Sequence, residues 1–599
     1  MRTSMCALGL AALALPVQAV AQAGRAAVHD VRYEVTFDSA AAADGMLRVS
    51  MSFRADAAGP VSLSLPAWTP GAYEISDFAR NVVGFTAATD GRALRWDKAD
   101  HDTWRVFADG AGPVSVRFDY VADSLDNAMA WSRPDFAFFN GTNVFLYPEA
   151  SDREFPADVV IHTTEGWRVA TGMTGGAGRY SASRYHDLVD MPVFVGRFDL
   201  DSTQIDGRWY RLATYPTGGL AGEARRLLWS WIETMMPPMA AVFGETPWDT
   251  YTTLIVFEES FGGGSALEHQ NSYLGIYHPQ FIGNPILGSI TAHEIFHGWN
   301  VKRLRPAELV PYDYSRPQPT TLLWVSEGIT DYYADLALVR GAIIPPAVFY
   351  QLTAGKVDAV AAAPPVALQD ASLSTWIHPK DGTDYIYYPK GSLAGFLLDI
   401  LIRDASNNRA SLDDVLRDLY QRTYKAGAGF TEAQWWEAVA RAAGGRSFED
   451  FSRRYVDGRD AFPYERVLSL AGLALDAETM RAPRLGVSTT PDSVGVLVTD
   501  VAGGGAAQSA GVVAGDYLVR VGDIPVEDVG FGERFRERYG GAADGTSLEI
   551  VVRRGSETIT LAGTLRFAEN VSHGIREDPR ASSKALRIRE GILEGTVER

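Results

Sequence analysis

The stretch His293-Glu-Ile-Phe-His297 limits what this chain can be more than any other. Two histidines four residues apart, with a glutamate after the first, act together only on an α-helix, where positions i and i+4 lie one turn apart on the same face. There the two imidazoles can share one Zn²⁺, and Glu294 can take a proton from a water beside them. The flanks fit a helix. Pro285 and Gly288 stand near its start, Ile286, Ile290 and Phe296 give it an apolar side, and Gly298 suits its end. The same pattern also arises by chance, as two helix histidines satisfied by their neighbours, so a third ligand further along the chain has to decide between the two.

A zinc hydrolase needs a third protein ligand. Residues 322–336 carry apolar and aromatic side chains at helical spacing, with Gly341 as a stop. Glu327 lies in the apolar first half, where a carboxylate is costly unless it is paired or bound to metal. Asp331, one turn on, shares its face and can accept a hydrogen bond from a ligand histidine. His293, His297 and Glu327 are the expected metal ligands, Glu294 the expected base, and one Zn²⁺ per chain the expected cofactor.

The chain's 599 residues leave room for three or four domains, and 46% hydrophobic with 22% charged content is that of a globular protein. A net charge of −19 disfavours nucleic acid or an anionic membrane as the main partner. Arg2, the apolar run 7–17 and the small-residue site Ala21-Gln-Ala23 read as a secretory signal ending at residue 23, so a secreted or periplasmic location is expected. Cys6, the only cysteine, lies inside that segment, which leaves the mature chain neither disulfides nor thiol chemistry. No later apolar run reaches the ~18 residues of a membrane helix.

Residues 24–190 read as a β domain, because 31–37, 47–53 and 114–120 alternate with period two. Trp68, Pro70, Gly71 and Tyr73 sit in a turn-rich stretch and are read as packing and turn residues first, with substrate contact as the alternative. Residues 191–470 read as a mixed sheet followed by helices, with 252–257 a buried strand. The glycine-rich 261–272 follows that strand, and an edge strand here can pair with an extended peptide, with Gly264 and Ala266 along its floor. Lys302-Arg-Leu-Arg305 is a basic run that can be a solvated face, a contact for a substrate carboxylate or a brace for the site. At 475–568 the composition shifts to short strands and glycines. Residues 569–599 are charged and are read as a mobile tail or a weak helix.

Five blocks in order carry a family resemblance: 66–81, Leu267-Glu-His-Gln-Asn-Ser272, 293–306, 324–333 and Tyr388-Pro-Lys-Gly391. Together they resemble the gluzincin zinc metallopeptidases, and specifically the glycyl aminopeptidase family with a C-terminal PDZ domain. The resemblance implies a multidomain α+β fold: an N-terminal β-sandwich-like domain, a thermolysin-like catalytic domain and a PDZ domain. It implies that Glu268 anchors a substrate α-amine, although Ser265 and Ala266 stand where related sequences often have glycine. Tyr388 is implied as the hydroxyl that stabilises the oxyanion, with Tyr387 as runner-up. Leu485-Gly486-Val487 would be the PDZ loop whose amides receive a peptide carboxylate.

The expected function is a zinc aminopeptidase acting on peptides with an N-terminal glycine or other small residue, the preference being implied by the resemblance alone. Two alternatives stand beside it. One is an endopeptidase whose PDZ domain presents protein substrates. The other is a non-catalytic peptide-binding adaptor, against which the intact ligands and base speak.

Overall fold

The period-two alternation of the first third has a direct structural consequence. Strands Val28–Phe37, Met46–Ala55 and Gly112–Val121 bury every second side chain, among them Tyr33, Val35, Val49, Met51, Val116 and Phe118. They lie side by side in an eight-stranded sheet that shares one core with two four-stranded sheets. In this computed structural model the described residues are 27–492, 494–526 and 530–598. Residues 1–23, read from the sequence as a secretory signal containing Cys6, lie outside them.

The boundary expected at 190 falls nearer 197. Strand Val193–Gly196 is buried on both faces and pairs with Phe136–Phe139 and Arg168–Thr171, inside the first domain. After a bend at 197–198 the next strand, Asp199–Ile205, belongs to a different sheet.

The second sheet contains β1 (Asp199–Ile205), β2 (Arg208–Tyr215), β3 (Thr250–Phe257), β4 (Gly264–His269) and β5 (Ser272–Tyr277) in the order β1-β2-β3-β5-β4. Helix α1 (Gly222–Phe243) makes the crossover between the parallel pair β2 and β3. β3 is buried along nearly its whole length, as a central parallel strand must be, and β4 is the antiparallel edge. Four helices further along build the site: α2 (Pro285–Phe296), α3 (Ile329–Arg340), α4 (Pro346–Ala362) and α5 (Tyr387–Ser406). They share one core with the faces of the sheet turned toward them.

β6 (Leu473–Arg484) pairs along its full length with β8 (Arg566–Glu577), forming a two-stranded ribbon. Between its strands lies a separate small β domain with its own core, in which β7 (Val487–Asp492) is the edge strand. The stretch expected to be a mobile tail or weak helix is neither. After the ribbon, α6 (Ser583–Glu594) docks on the catalytic domain, with Ile588 and Ile592 in its core. Arg403 Nη1 donates to the Thr596 carbonyl at 2.8 Å and Asn408 Nδ2 to that of Arg587 at 3.1 Å. Overall polarity concealed a one-sided stripe, since two isoleucines one turn apart suffice to seat a helix. Among the described residues no helix is long and apolar enough to cross a membrane.

Candidate active site

Asn284 caps α2 by accepting from the Ile286 amide, and Pro285 occupies the first turn, where its missing N–H costs nothing. The helix ends at Phe296, with His297 as its cap, so His293 and His297 emerge on one face of the last turn. Glu327 reaches that face from a different kind of turn. Residues Trp324–Gly328 are wound as a π-turn leading into α3, a local widening that is common at functional sites. Gly328 and Gly391 cross in close contact here. A Cβ on Gly328 would lie 2.5 Å from the Gly391 Cα, and one on Gly391 would lie 2.7 Å from the Trp324 carbonyl oxygen. Only glycines allow this crossing, which brings the start of α5, with Tyr388, beside Glu327.

The two Nε2 atoms of His293 and His297 stand 2.9 Å apart. Glu327 Oε2 lies 3.2 Å from that of His297 and 3.6 Å from that of His293. His297 Nδ1 donates to the Asn300 carbonyl at 2.8 Å, which leaves Nε2 free to act as a ligand. Asn300 Nδ2 in turn donates to the carbonyls of Val325 and Ser326, tying the histidine helix to the Glu327 turn. Asp331 sits 3.9 Å from His293 Nδ1, beyond hydrogen-bond reach, and is held by Lys356 at 2.6 Å. Lys356 also pairs with Asp335 at 2.6 Å and donates to Ser392 at 2.8 Å.

Burial works against the charge on Glu327, yet His297 beside it and the hydrogen bonds from both histidines hold its carboxyl well below the usual range. Burial also opposes a charged His297, but Glu327 and Glu268 outweigh it and hold the ring up at about 9. Burial pushes Glu294 up to about 8, with His297 pulling down and Glu268 and Glu327 pushing up. Oε2 of Glu294 and Oε1 of Glu268 are buried without a hydrogen-bond partner. Three carboxylates thus converge on two imidazoles in a largely dry space. His293, His297 and Glu327 could hold a metal ion, their donor atoms lying within 4.8 Å of one another, and the surrounding negative charge suits a divalent cation.

Glu268 lies on the edge strand β4 and is 4% exposed. Ser265 Oγ on the same strand accepts from Asn127 Nδ2 of the β domain at 2.8 Å, Gly264 opens the strand against Phe281, and Ala266 packs toward the core. The basic run after α2 is a brace and not a solvated face. The Lys302 side chain is fully buried, 3.0 Å from Asp190, 3.6 Å from Glu268 and 3.1 Å from the Pro70 carbonyl. His269 Nδ1 meets the same Asp190 oxygen at 3.1 Å. Arg303 donates to the carbonyls of Gln270 and Gly298, and Arg305 to those of Val301 and Lys302.

The turn expected chiefly to pack does more. Tyr73 is 3% exposed, and its hydroxyl donates to Glu327 Oε1 at 3.0 Å, the oxygen turned away from the histidines. Gly71 has φ +108°, and a Cβ there would stand 2.6 Å from both Glu268 oxygens. Trp68, the packing residue of the group, donates to the Asp313 carbonyl and meets Trp376 edge-on at 5.0 Å. Sequence spacing gives no sign of the Tyr73 contact, because Tyr73 and Glu327 are 254 residues apart. The one signal in the sequence is a lone tyrosine among turn residues in one of the five resembling blocks.

Tyr388 places its ring 5.8 Å from that of His293, and burial followed by Glu327 pushes its hydroxyl well above the usual tyrosine range. The runner-up Tyr387 is committed elsewhere, its hydroxyl 2.8 Å from Thr375 Oγ1. Far from this centre, Leu485 is buried in the small β domain. Gly486 there has φ +77°, and a Cβ on it would lie 2.9 Å from the Gly505 Cα. Val487 opens the edge strand β7.

Residues 32–197 match the Peptidase M61 N-terminal domain, 287–394 the M61 glycyl aminopeptidase family and 483–565 the PDZ domain. No curated protein matches the chain. Among solved structures, an aminopeptidase N family protein from Idiomarina loihiensis is similar at 22% identity and TM-score 0.80, over 94% of this chain and 100% of that one. An M1 zinc metallopeptidase from Deinococcus radiodurans is similar at 14% identity and TM-score 0.48, over 72% and 94%. With both M61 domains and the PDZ domain in order, the chain belongs to the M61 glycyl aminopeptidase family and is a metallopeptidase.

Proposed function

We propose that the protein is a zinc aminopeptidase that removes a small N-terminal residue from peptides. The observation that carries this is Glu268: a buried carboxylate with one oxygen free of hydrogen bonds, on the edge strand of the cleft, beside the three-donor cluster. An extended peptide adds to β4 through main-chain bonds. Its cationic α-amine ends on Glu268 in a charge-assisted bond. The turn at Gly71 and Tyr73 stands directly behind that carboxylate and stops the chain there, so only the first peptide bond reaches the reacting position. The same turn leaves little room for a long first side chain, which supports preference for glycine or another small residue.

Zinc held by His293, His297 and Glu327 would supply Lewis acidity for the carbonyl and the attacking water. Glu294 takes the proton of the attacking water and passes it to the leaving amine, the double role of a general base and acid. The Tyr388 hydroxyl donates to the developing oxyanion, and its raised pKa keeps the proton available for that bond. Tyr73 and Asn300 hold Glu327 and His297 in place from the outer side. The PDZ domain, with β7 as an open edge, suits peptide segments or C-termini. The signal in residues 1–23 supports a periplasmic or secreted site of action.

The test is Glu268→Ala assayed on free-amino and N-acetylated peptides of one sequence. The expected outcome is a fall in kcat/KM of about one to two decades on the free-amino peptide, the value of one charge-assisted bond, and little change on the blocked one. Equal losses on both would replace the exopeptidase reading with an endopeptidase.

A further inference from the structure

Away from the metal centre, α4, the loop 363–366, the start of α5 and the segment 459–464 enclose a cavity of about 270 Å³. None of its lining residues belongs to the catalytic site. Its walls are apolar, with Val357, Val360, Pro364, Pro365, Ile386 and Phe462 among them. Lys390 lies in this wall and is 6% exposed. Its ammonium has three donors but a single hydrogen-bond acceptor, the Val366 carbonyl, with the Phe462 ring centroid 5.8 Å away. Among the described residues no carboxylate pairs with it, and the neighbouring Arg459, also in the lining, is itself paired with Asp370. The one lining carboxylate, Asp460, is turned to Arg454 at 2.9 Å. His573 of β8 closes one side, its ring bonded to Asp358 at 2.7 Å.

A buried ammonium without a counter-charge is costly, and the cost falls when an anion arrives. We infer that this cavity is a second binding site, which takes a small monocarboxylate with an apolar body, its carboxylate on Lys390 and its body against the valine and proline wall. The chemistry selects that class. Arg459 is already paired with Asp370, so Lys390 is the lining cation left to balance, and it balances one negative charge, whereas a phosphate brings nearly two. At the ~30 Å³ that liquid water takes per molecule, the volume is that of about nine waters, which fits a small organic acid and not a long chain. Burial and Arg459 push the Lys390 ammonium down to about 8, the direction expected of a cation short of a partner. A free acid and the C-terminus of a short peptide present the same group.

The probes are 4-fluorobenzoate for the free acid, N-acetylleucine for the peptide terminus, and 4-fluorobenzamide as the uncharged match of the first. Binding to the full-length enzyme is followed by calorimetry and, for the fluorinated pair, by fluorine NMR. Saturable binding of either acid is expected, with 4-fluorobenzamide weaker by at least about tenfold, the value of one charge-assisted bond. Lys390→Met should cost the acids the same factor, and Val360→Trp, which fills the cavity and keeps the lysine, should abolish binding. Whichever acid binds tells which source the site serves. Failure of both acids to bind, equal binding of the benzamide, or binding that survives Val360→Trp would overturn the site.

Discussion

Tyr73→Phe removes one oxygen from the outer side of the metal centre and nothing else. The ring stays, with its edge-on contact to Trp376 at 6.0 Å. What is lost is the hydrogen bond to Glu327 Oε1 at 3.0 Å, in a place where both partners are buried. A hydrogen bond to a charged group contributes about 1.5–3 kcal/mol. Freed of it, the carboxylate can rotate and present its oxygens to the histidines in more than one way. The expected result is a zinc affinity about 10- to 100-fold weaker, the range found when an outer partner of a metal ligand is removed.

The assay is competition for zinc against a chromophoric chelator, followed by kcat/KM on a free-amino peptide at saturating zinc. Activity at saturating zinc should recover most of what is lost at limiting zinc. Tyr388→Phe is the control, since the role proposed for that hydroxyl is at the substrate oxyanion and not at Glu327. Zinc affinity unchanged within about twofold in a folded Tyr73→Phe protein, set against the ~10-fold minimum expected, would refute the role given to Tyr73.

The same geometry implies four further outcomes. Tyr388→Phe should keep its zinc and lose about two to three decades in kcat, as when one oxyanion donor is removed; normal turnover would exclude it. Lys302→Met leaves Asp190 and Glu268 buried without their cation, a destabilisation of about 3–5 kcal/mol readable as a fall in Tm. Excising 485–565 and joining the ribbon by a short turn should leave a folded peptidase, whereas truncation at 472 removes α6, of which Ile588 and Ile592 alone are worth about 2–5 kcal/mol each; equal stability of the two shortened chains would contradict the docking of α6. His186 is pushed down to about 4 by burial, then by Arg305 and Arg184. The fold therefore prefers the neutral ring, the unfolded chain takes up the extra proton below about 6.5, and up to about 3 kcal/mol is lost as pH falls from there to about 4; His186→Gln should flatten the acid limb of a Tm-versus-pH curve.

How much of this is legible in sequence depends on the range of the interaction. His293, Glu294 and His297 lie within one helical turn, so their relation is a matter of spacing, and Glu327 with Asp331 is a second local pattern. The π-turn that aims Glu327 is not legible, because it depends on Gly328 meeting Gly391, and nothing in either segment names the other. Lys302 looks like part of a basic surface run, since charge alternates with apolar residues there and the buried partners, Asp190 and Glu268, come from distant segments. Asp331 lies one turn from Glu327 as its spacing implies, but Lys356, from α4, holds it at 3.9 Å from the ring it was expected to support. Local patterns name the residue types of the site, and long-range packing decides which of them touch.

The two accessory domains differ for the same reason. The PDZ domain hangs on a ribbon and has a core of its own. The N-terminal β domain shares its core with Val301, Leu309, Tyr312 and Tyr314 from the loop just after the histidine helix. It also sends three polar contacts into the cleft: Tyr73 to Glu327, the Pro70 carbonyl to Lys302 and Asn127 to Ser265. Gly71→Ala tests how tight that junction is. The new Cβ would meet the Glu268 oxygens at 2.6 Å and would hold a side chain at φ +108°, a conformation costing of order 1–3 kcal/mol outside glycine. If the turn and the anchor carboxylate share one fixed geometry, the variant keeps its zinc and loses kcat/KM on free-amino peptides far more than on blocked ones. A variant with wild-type kcat/KM on both would mean that the β domain only packs against the cleft and takes no part in holding the substrate amine.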